Sequence, residues 1–376
     1  MKKNPLLQLQ TFGQSIWLDF IRRGMIVSGE LGRLIEENGL KGVTSNPSIF
    51  EKAIAESSDY DSAIRSLARE GKSAAQIYEE LVVEDIRQTA DLFRPLYDRM
   101  DGRDGFVSLE VSPHLAHDTD GTVREARHLW AKVDRPNVLI KVPGTVEGLP
   151  AIRQLISEGI NVNVTLLFGL SRYQAVAEAY IAGLEERAAG GLPLGRISSV
   201  ASFFLSRIDV LVDPLLEKKL QEGGRLADSA SLLRGKVAIA SAKAAYQLYK
   251  EIHKEERFRK LAAKGARPQR VLWASTSSKD PAFSDVKYVE ALIGADTVNT
   301  VPLETLIAYR DHGNPAPRLE EDLEASKRVL QQLKETGIDL DAVTLQLENE
   351  GIEKFVNPFD KLLKTLEGKK NSAEQA

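Results

Sequence analysis

Eight short apolar, β-branched runs recur along the chain, each bounded by turn or capping residues and most followed by a stretch with helical periodicity. They are SIWLDF from Ser15, GVTSNP from Gly42, FVSLEV from Phe106, NVLIKVP from Asn137, NVNVTLLF from Asn161, ISSVASFF from Ile197, RVLWAST from Arg270 and DTVNTVP from Asp296. Five of the seven start-to-start spacings lie between 24 and 36 residues. A strand, a helix and two loops need about that length, and parallel neighbours require such a crossover. No Gly-rich phosphate loop follows the first run, so the pattern predicts an α/β protein built as a parallel (β/α)₈ TIM barrel rather than an open doubly wound sheet.

Between the runs the helices are legible from their periodicity. After Asp120, the residues Val123, Ala126, Leu129, Trp130 and Val133 form one stripe; after Ser171, the residues Tyr173, Val176, Ala177, Tyr180, Ile181 and Leu184 form another. Asp120 and Ser171 are the expected N-caps. The two long spacings hold SAAQIYEELVVEDIRQTADLF and the Ala-rich KVAIASAKAAYQLYKEIHKEERFRKLA, read as insertions rather than domains. The stretch from Lys236 to Ile252 is expected to cover the barrel or to form a subunit contact. Past Gly313, Leu319, Leu323, Ser326, Leu330 and Leu333 fall in register, and a last segment ends near Leu366. The organisation expected is one barrel domain over 1–376, with a helical insertion at about 210–269 and a C-terminal helical extension at about 314–368 closing over the barrel. The final KKNSAEQA lacks apolar residues and is expected to fray.

Composition then narrows the chemistry. There are no cysteines and five histidines among 376 residues, which removes disulfides, thiolate metal sites and cysteine nucleophiles and leaves little room for a multi-histidine metal centre. Lys, Asp, Glu, Ser, Thr and Arg must carry any reaction. The formal net charge of −4 disfavours a nucleic-acid or anionic-membrane binder. Gln8, Gln10 and Thr11 interrupt the apolar stretch near the start, and no run approaches eighteen apolar residues, so neither a signal peptide nor a membrane span is expected and a cytoplasmic enzyme is.

In a barrel of this kind, polar residues inside apolar strands mark the catalytic face at the strands' C-terminal ends. Lys141, within VLIKVP, is the most informative of them. A buried amine loses solvation of its charged form, which favours the nucleophilic free amine needed for imine formation with a carbonyl; the alternative is a lysine that snorkels to solvent at the strand end. Asp19, Asn46 and Glu110 lie on the first three runs, while Asn163 and Thr165 sit two apart on the fifth and so share a face. Each has an ordinary alternative: Asp19 as a helix cap, Asn46 before Pro47 as an N-cap with proline at the first helical position, Asn163 as a satisfied core amide. Ser202 lies on the sixth run and Arg207 near its exit, and Ser277, Ser278 and Lys279 follow the seventh. Hydroxyls and cations after the late strands of a barrel suit a phosphorylated substrate. The alternative is an Arg207–Asp209 pair and a Ser/Thr run that caps a helix.

The stretches TSNPS, SLEV with a following HDT, VLIKVPGT and GINVNVTLLF, in this order and at this spacing, resemble the motifs of the transaldolase family, in its longer subfamily. The resemblance runs from about Asp19 to the C-terminal helices. It implies a cofactor-free Schiff-base enzyme of the pentose phosphate pathway, acting on sugar phosphates. By resemblance, Lys141 attacks the C2 carbonyl of a ketose phosphate, Asp19 takes the proton of the C4 hydroxyl, Glu110 shuttles protons through a water positioned by Thr165, and Asn46, Asn163 and Ser202 hold the hydroxyls of the bound three-carbon unit. Arg207 would hold the phosphate. The family's usual second arginine after the seventh strand is missing, and Lys279 with Ser277 and Ser278 is expected to replace it as a mobile point charge. A fructose-6-phosphate aldolase-like enzyme and a non-catalytic sugar-phosphate-binding barrel are the alternatives. His114 and His117, spaced by three, are expected to be loop residues rather than metal ligands, and the assembly is expected to be a monomer or homodimer.

Overall fold

The computed structural model describes residues 4–223 and 227–374. Eight parallel strands close into a barrel in chain order, β1 Gln14–Leu18, β2 Gly42–Thr44, β3 Phe106–Glu110, β4 Val138–Pro143, β5 Val162–Leu167, β6 Ser199–Phe204, β7 Arg270–Ala274 and β8 Thr297–Val301. Each apolar run of the sequence supplies one strand. Every strand residue except Arg270 is buried, which is why the runs show continuous apolarity instead of strict alternation: the barrel covers one face and the helices the other. Closure is made by β1 against β8, from Gln14 beside Thr297 to Leu18 beside Val301.

Two expected caps are displaced. The helix after β3 is Thr119–Val133, and its cap is Asp118, whose carboxylate accepts from the Gly121 N–H at 2.9 Å; Asp120 already lies in the first turn, too late to reach the free N–H groups. The helix after β5, Leu170–Ala189, starts from Gly169 with no side-chain cap, so Ser171 is interior. Between β6 and β7 lie Ser206–Glu222, Ala227–Leu233, Val237–Lys254 and Glu256–Ala262. The Ala-rich Val237–Lys254 helix packs on β7 and on Leu170–Ala189, so it is the outer-ring crossover of this βα unit. Small side chains at Ala238, Ala242 and Ala245, fully buried, permit that close approach. In the other long connection, Ala74–Arg99 packs on β3 and carries a reciprocal Ser73–Gln76 capping box.

The chain ends in a helix over Leu340–Glu374 that packs on β5, on Ser206–Glu222 and on the helices Pro47–Ala55 and Asp61–Arg69. It therefore crosses the C-terminal mouth of the barrel. Its buried Leu347, Phe355, Leu362 and Leu366 follow helical spacing. The expected frayed tail is helical as far as Glu374, and Lys369 docks it by donating to the Ile54 carbonyl at 3.2 Å and to Asp61 at 2.8 Å. Charge pairing replaces the missing apolar anchor there. Among the described residues no helix is long and apolar enough to cross a membrane.

Candidate active site

Lys141 projects from the middle of β4 beside Glu110 of β3 and Asn163 of β5, the three at one level of the sheet. Its amine donates to the Ser45 carbonyl at 2.7 Å and to Glu110 Oε2 at 3.0 Å, and both side chains of that pair are 5% exposed. The surroundings of the amine are thus a carboxylate, a carbonyl and an aromatic face, Phe355, whose ring centre is 5.7 Å away, rather than the purely aliphatic ones that VLIKVP suggests. Burial pushes the Glu110 carboxyl above the ordinary carboxylate range, partly opposed by the Lys141 charge. Such a carboxylate is a better proton acceptor than one in water.

A cavity of about 180 Å³ opens beside the lysine at the C-terminal ends of the strands. Asp19, just past β1, faces it and accepts from Thr44 Oγ at 2.6 Å; Thr44 is in turn 2.7 Å from the Thr300 hydroxyl. Burial raises the Asp19 pKa, with the Lys141 charge and the Thr44 hydrogen bond acting in the opposite sense. Thr165 lines the same cavity with a buried hydroxyl that has no hydrogen-bond partner among the described residues. The next residue, Leu166, has φ 60°, and the β5–β6 register shifts between Val164 and Leu167. A bulge of this kind re-aims a strand's side chains, and left-handed backbone at a leucine is strain of the type found at functional sites.

One side of the cavity is cationic. Arg207 lines the cavity, its guanidinium lies 5.8 Å from the Phe204 ring centre, and its Nη1 is buried without a partner among the described residues. Burial lowers its pKa. The alternative Arg207–Asp209 pair does not form: Asp209 accepts from the Ala238 N–H, Lys287 and Tyr288. An unpaired, partly desolvated guanidinium facing a cavity calls for an anion. Lys279 also faces the cavity and donates to Ser277 Oγ at 2.6 Å.

Residues 16–366 match the family described as Transaldolase/Fructose-6-phosphate aldolase. The chain belongs to that family. It is 50% identical over 373 residues to a Trichodesmium erythraeum protein named Transaldolase, covering 98% of each chain. A Nostoc protein named Transaldolase 2 is 50% identical over 377 residues, again with 98% of each chain covered. A Thiobacillus denitrificans protein named Transaldolase is 50% identical over 360 residues, covering 96% of this chain and 99% of the relative.

Around Lys141, the remaining candidates divide. Asn46 does cap the helix Pro47–Ala55, accepting from the Ile49 N–H at 3.0 Å through Oδ1, and it also lines the cavity, so its N–H₂ remains for a ligand. Ser202 lines the cavity and donates to Asn163 Oδ1 at 2.6 Å, while Asn163 Nδ2 donates to Ser108 at 3.0 Å. Asn163 is thus held between two serines behind the cavity wall. Ser278 turns away from the site and donates to the Asp280 carbonyl. Glu110 faces a neighbouring cavity of about 110 Å³ with Tyr78 and Glu125, reaching the site through the lysine. His114 pairs with Asp360 and His117 with Glu147, both exposed.

Seven lining residues escape the sequence reading: Thr44, Phe204, Ala274, Ser275, Thr300, Pro302 and Phe355. Thr44 ends β2 and Thr300 is the penultimate residue of β8, and both carry the same signal that singles out Thr165. Ser275, with φ 55° and a hydroxyl 2.8 Å from Ser206 Oγ, belongs to a run read only for its later members. Phe355 has no local signal, because an aromatic on a helix stripe looks like any core residue.

Proposed function

We propose that this chain is a cytoplasmic transaldolase of the non-oxidative pentose phosphate pathway. It moves a dihydroxyacetone unit from sedoheptulose 7-phosphate or fructose 6-phosphate to glyceraldehyde 3-phosphate or erythrose 4-phosphate. The observation that carries this reading is one cavity into which a buried lysine, the half-buried Asp19 carboxylate and the Arg207 guanidinium, without a partner among the described residues, all face. Glu110 accepts the ammonium proton, and the free amine of Lys141 adds to C2 of the ketose. Glu110 returns a proton through a water held by Thr165, water departs, and a protonated imine forms. Asp19 takes the C4 hydroxyl proton, the C3–C4 bond breaks with its electrons drawn into the imine, and the aldose phosphate leaves. The three-carbon unit stays on Lys141, held by Asn46 and Ser202, with Asn163 orienting Ser202. An acceptor aldehyde then takes C3, Asp19 protonates the new hydroxylate, and hydrolysis frees the product.

Arg207 is the main phosphate clamp, with Lys279 and Ser277 as its second arm; the whole of 1–376 serves this one barrel site as a single domain. Mixing the protein with fructose 6-phosphate and borohydride tests the reading. It expects a reduced three-carbon adduct on Lys141, located by peptide mass spectrometry, and a protein that yields none has no covalent mechanism. The aldolase alternative is separated by an assay without acceptor aldehyde, in which fast release of free dihydroxyacetone would favour cleavage over transfer.

A further inference from the structure

Transfer requires that the bound three-carbon unit meet an aldehyde before it meets water, and the last helix brings to the mouth of the barrel an apolar group suited to enforce that order. Phe355 comes from the C-terminal helix, is 4% exposed, lines the cavity, and places its ring centre 5.7 Å from Lys141 Nζ. One turn earlier on the same face is Gly351, where an added Cβ would lie 2.9 Å from Leu166 Cδ2. The absent side chain lets the helix settle onto the strained leucine that follows Thr165, bringing Phe355 down over the lysine. The resulting cavity, about 180 Å³, is smaller than the range of about 300–1,000 Å³ usual for ligand sites, a size that suits a three-carbon fragment held under Phe355.

We infer that Phe355 is a positioning residue that keeps water off the Lys141 adduct after the first aldose has left, and so sets the ratio of transfer to hydrolysis. The reaction it suppresses is definite: C3 of the bound unit takes a proton, a water oxygen bonds to C2, a proton moves to Nζ, and the C2–Nζ bond breaks to release dihydroxyacetone and the free amine. Apolar cover over the imine slows the water addition while leaving Asp19 and Lys141 untouched.

This inference rests on the imine chemistry proposed above, and the experiment separates the two. Wild type, Phe355→Ala and Phe355→Leu are given fructose 6-phosphate with and without erythrose 4-phosphate, and the released dihydroxyacetone is compared with transfer product; each is also trapped with borohydride. Phe355→Ala is expected to form the Lys141 adduct and to raise the hydrolysis-to-transfer ratio about tenfold or more, whereas Phe355→Leu, which keeps apolar bulk, stays within about threefold of wild type. An unchanged ratio in Phe355→Ala with a normal adduct overturns the role of Phe355 alone, as does a leucine variant that leaks as much as the alanine variant. No adduct in wild type overturns the underlying chemistry.

Discussion

The two ends of the barrel are built from the same eight strands and solve opposite problems. At the N-terminal end, Asp104 is 2% exposed and fully engaged: it accepts from Ser15 at 2.5 Å, from the Trp17 indole at 3.0 Å and from Arg270 at 3.3 Å. Gly42 leaves room for the Trp17 ring, since a Cβ there would lie 2.6 Å from it. At the C-terminal end, Thr165 and Arg207 keep buried atoms without partners, and Asp19 and Glu110 hold carboxyls that burial pushes upward. The larger cavity, about 910 Å³, is at the N-terminal end, lined by Ser15 and Arg270, whereas the proposed chemistry sits beside the one of about 180 Å³. Cavity size does not locate the reaction. The smaller cavity is marked instead by a buried lysine beside carboxyls that burial pushes upward and an unpartnered guanidinium; unpartnered atoms alone do not mark it, since Gln14, Asn137 and Gln269 at the N-terminal end have them too.

If that contrast is right, changes at the two ends must separate activity from stability. The largest effect belongs to Lys141→Met, expected to lower turnover by about 10⁴-fold or more in a protein that still shows a cooperative unfolding transition; undiminished turnover in a steady-state assay would break the scheme. Asp19→Asn is expected to lose about 10²–10⁴-fold in kcat, and in wild type the acid limb of kcat/KM should lie above the ordinary carboxylate range, because the base must be ionised and its pKa is raised. The sign for stability is the reverse. A carboxyl whose pKa is raised on folding contributes stability below its unfolded value and loses it as pH rises through the folded one. Asp19→Asn should therefore be the more stable protein at neutral pH by urea unfolding, though nearly inactive.

Asp104→Ala is expected to do the opposite, costing about 3 kcal/mol in urea unfolding by leaving Arg270, Ser15 and Trp17 without their shared acceptor, with kcat of the folded protein unchanged. A kcat loss matching that of Asp19→Asn would erase the division between the ends. Arg207→Ala should raise KM for the phosphorylated donor about 10–100-fold and Lys279→Ala about 3–10-fold, from the strength of charged hydrogen bonds; an unchanged KM in the lysine variant would assign the second phosphate arm to another group. The smallest expected effect is that of a strong chelator, which should leave transfer unchanged in the same assay, since the proposed electron sink is an imine.

Much of this was legible in order along the chain. Strand positions follow from local apolar runs, and the polar residues inside them, Lys141, Thr165 and Ser202, stand out because apolar strands otherwise exclude them. Asp118 rather than Asp120 as a cap shows the limit at close range, where a shift of two residues decides which carboxylate reaches a free N–H. Ser277 and Ser278 show it again: adjacent hydroxyls of equal promise turn to different partners.

By itself, then, the sequence determined the eight-strand barrel, the strand that carries the lysine and the end at which polar groups gather, since these depend on periodicity and composition within single segments. Tertiary structure alone decided that Glu110 meets Lys141, that Arg207 goes unpaired while Asp209 binds elsewhere, and that a phenylalanine from the last helix covers the site. Those outcomes depend on closure of the barrel and the path of a distant helix, which bring together side chains that share no local pattern.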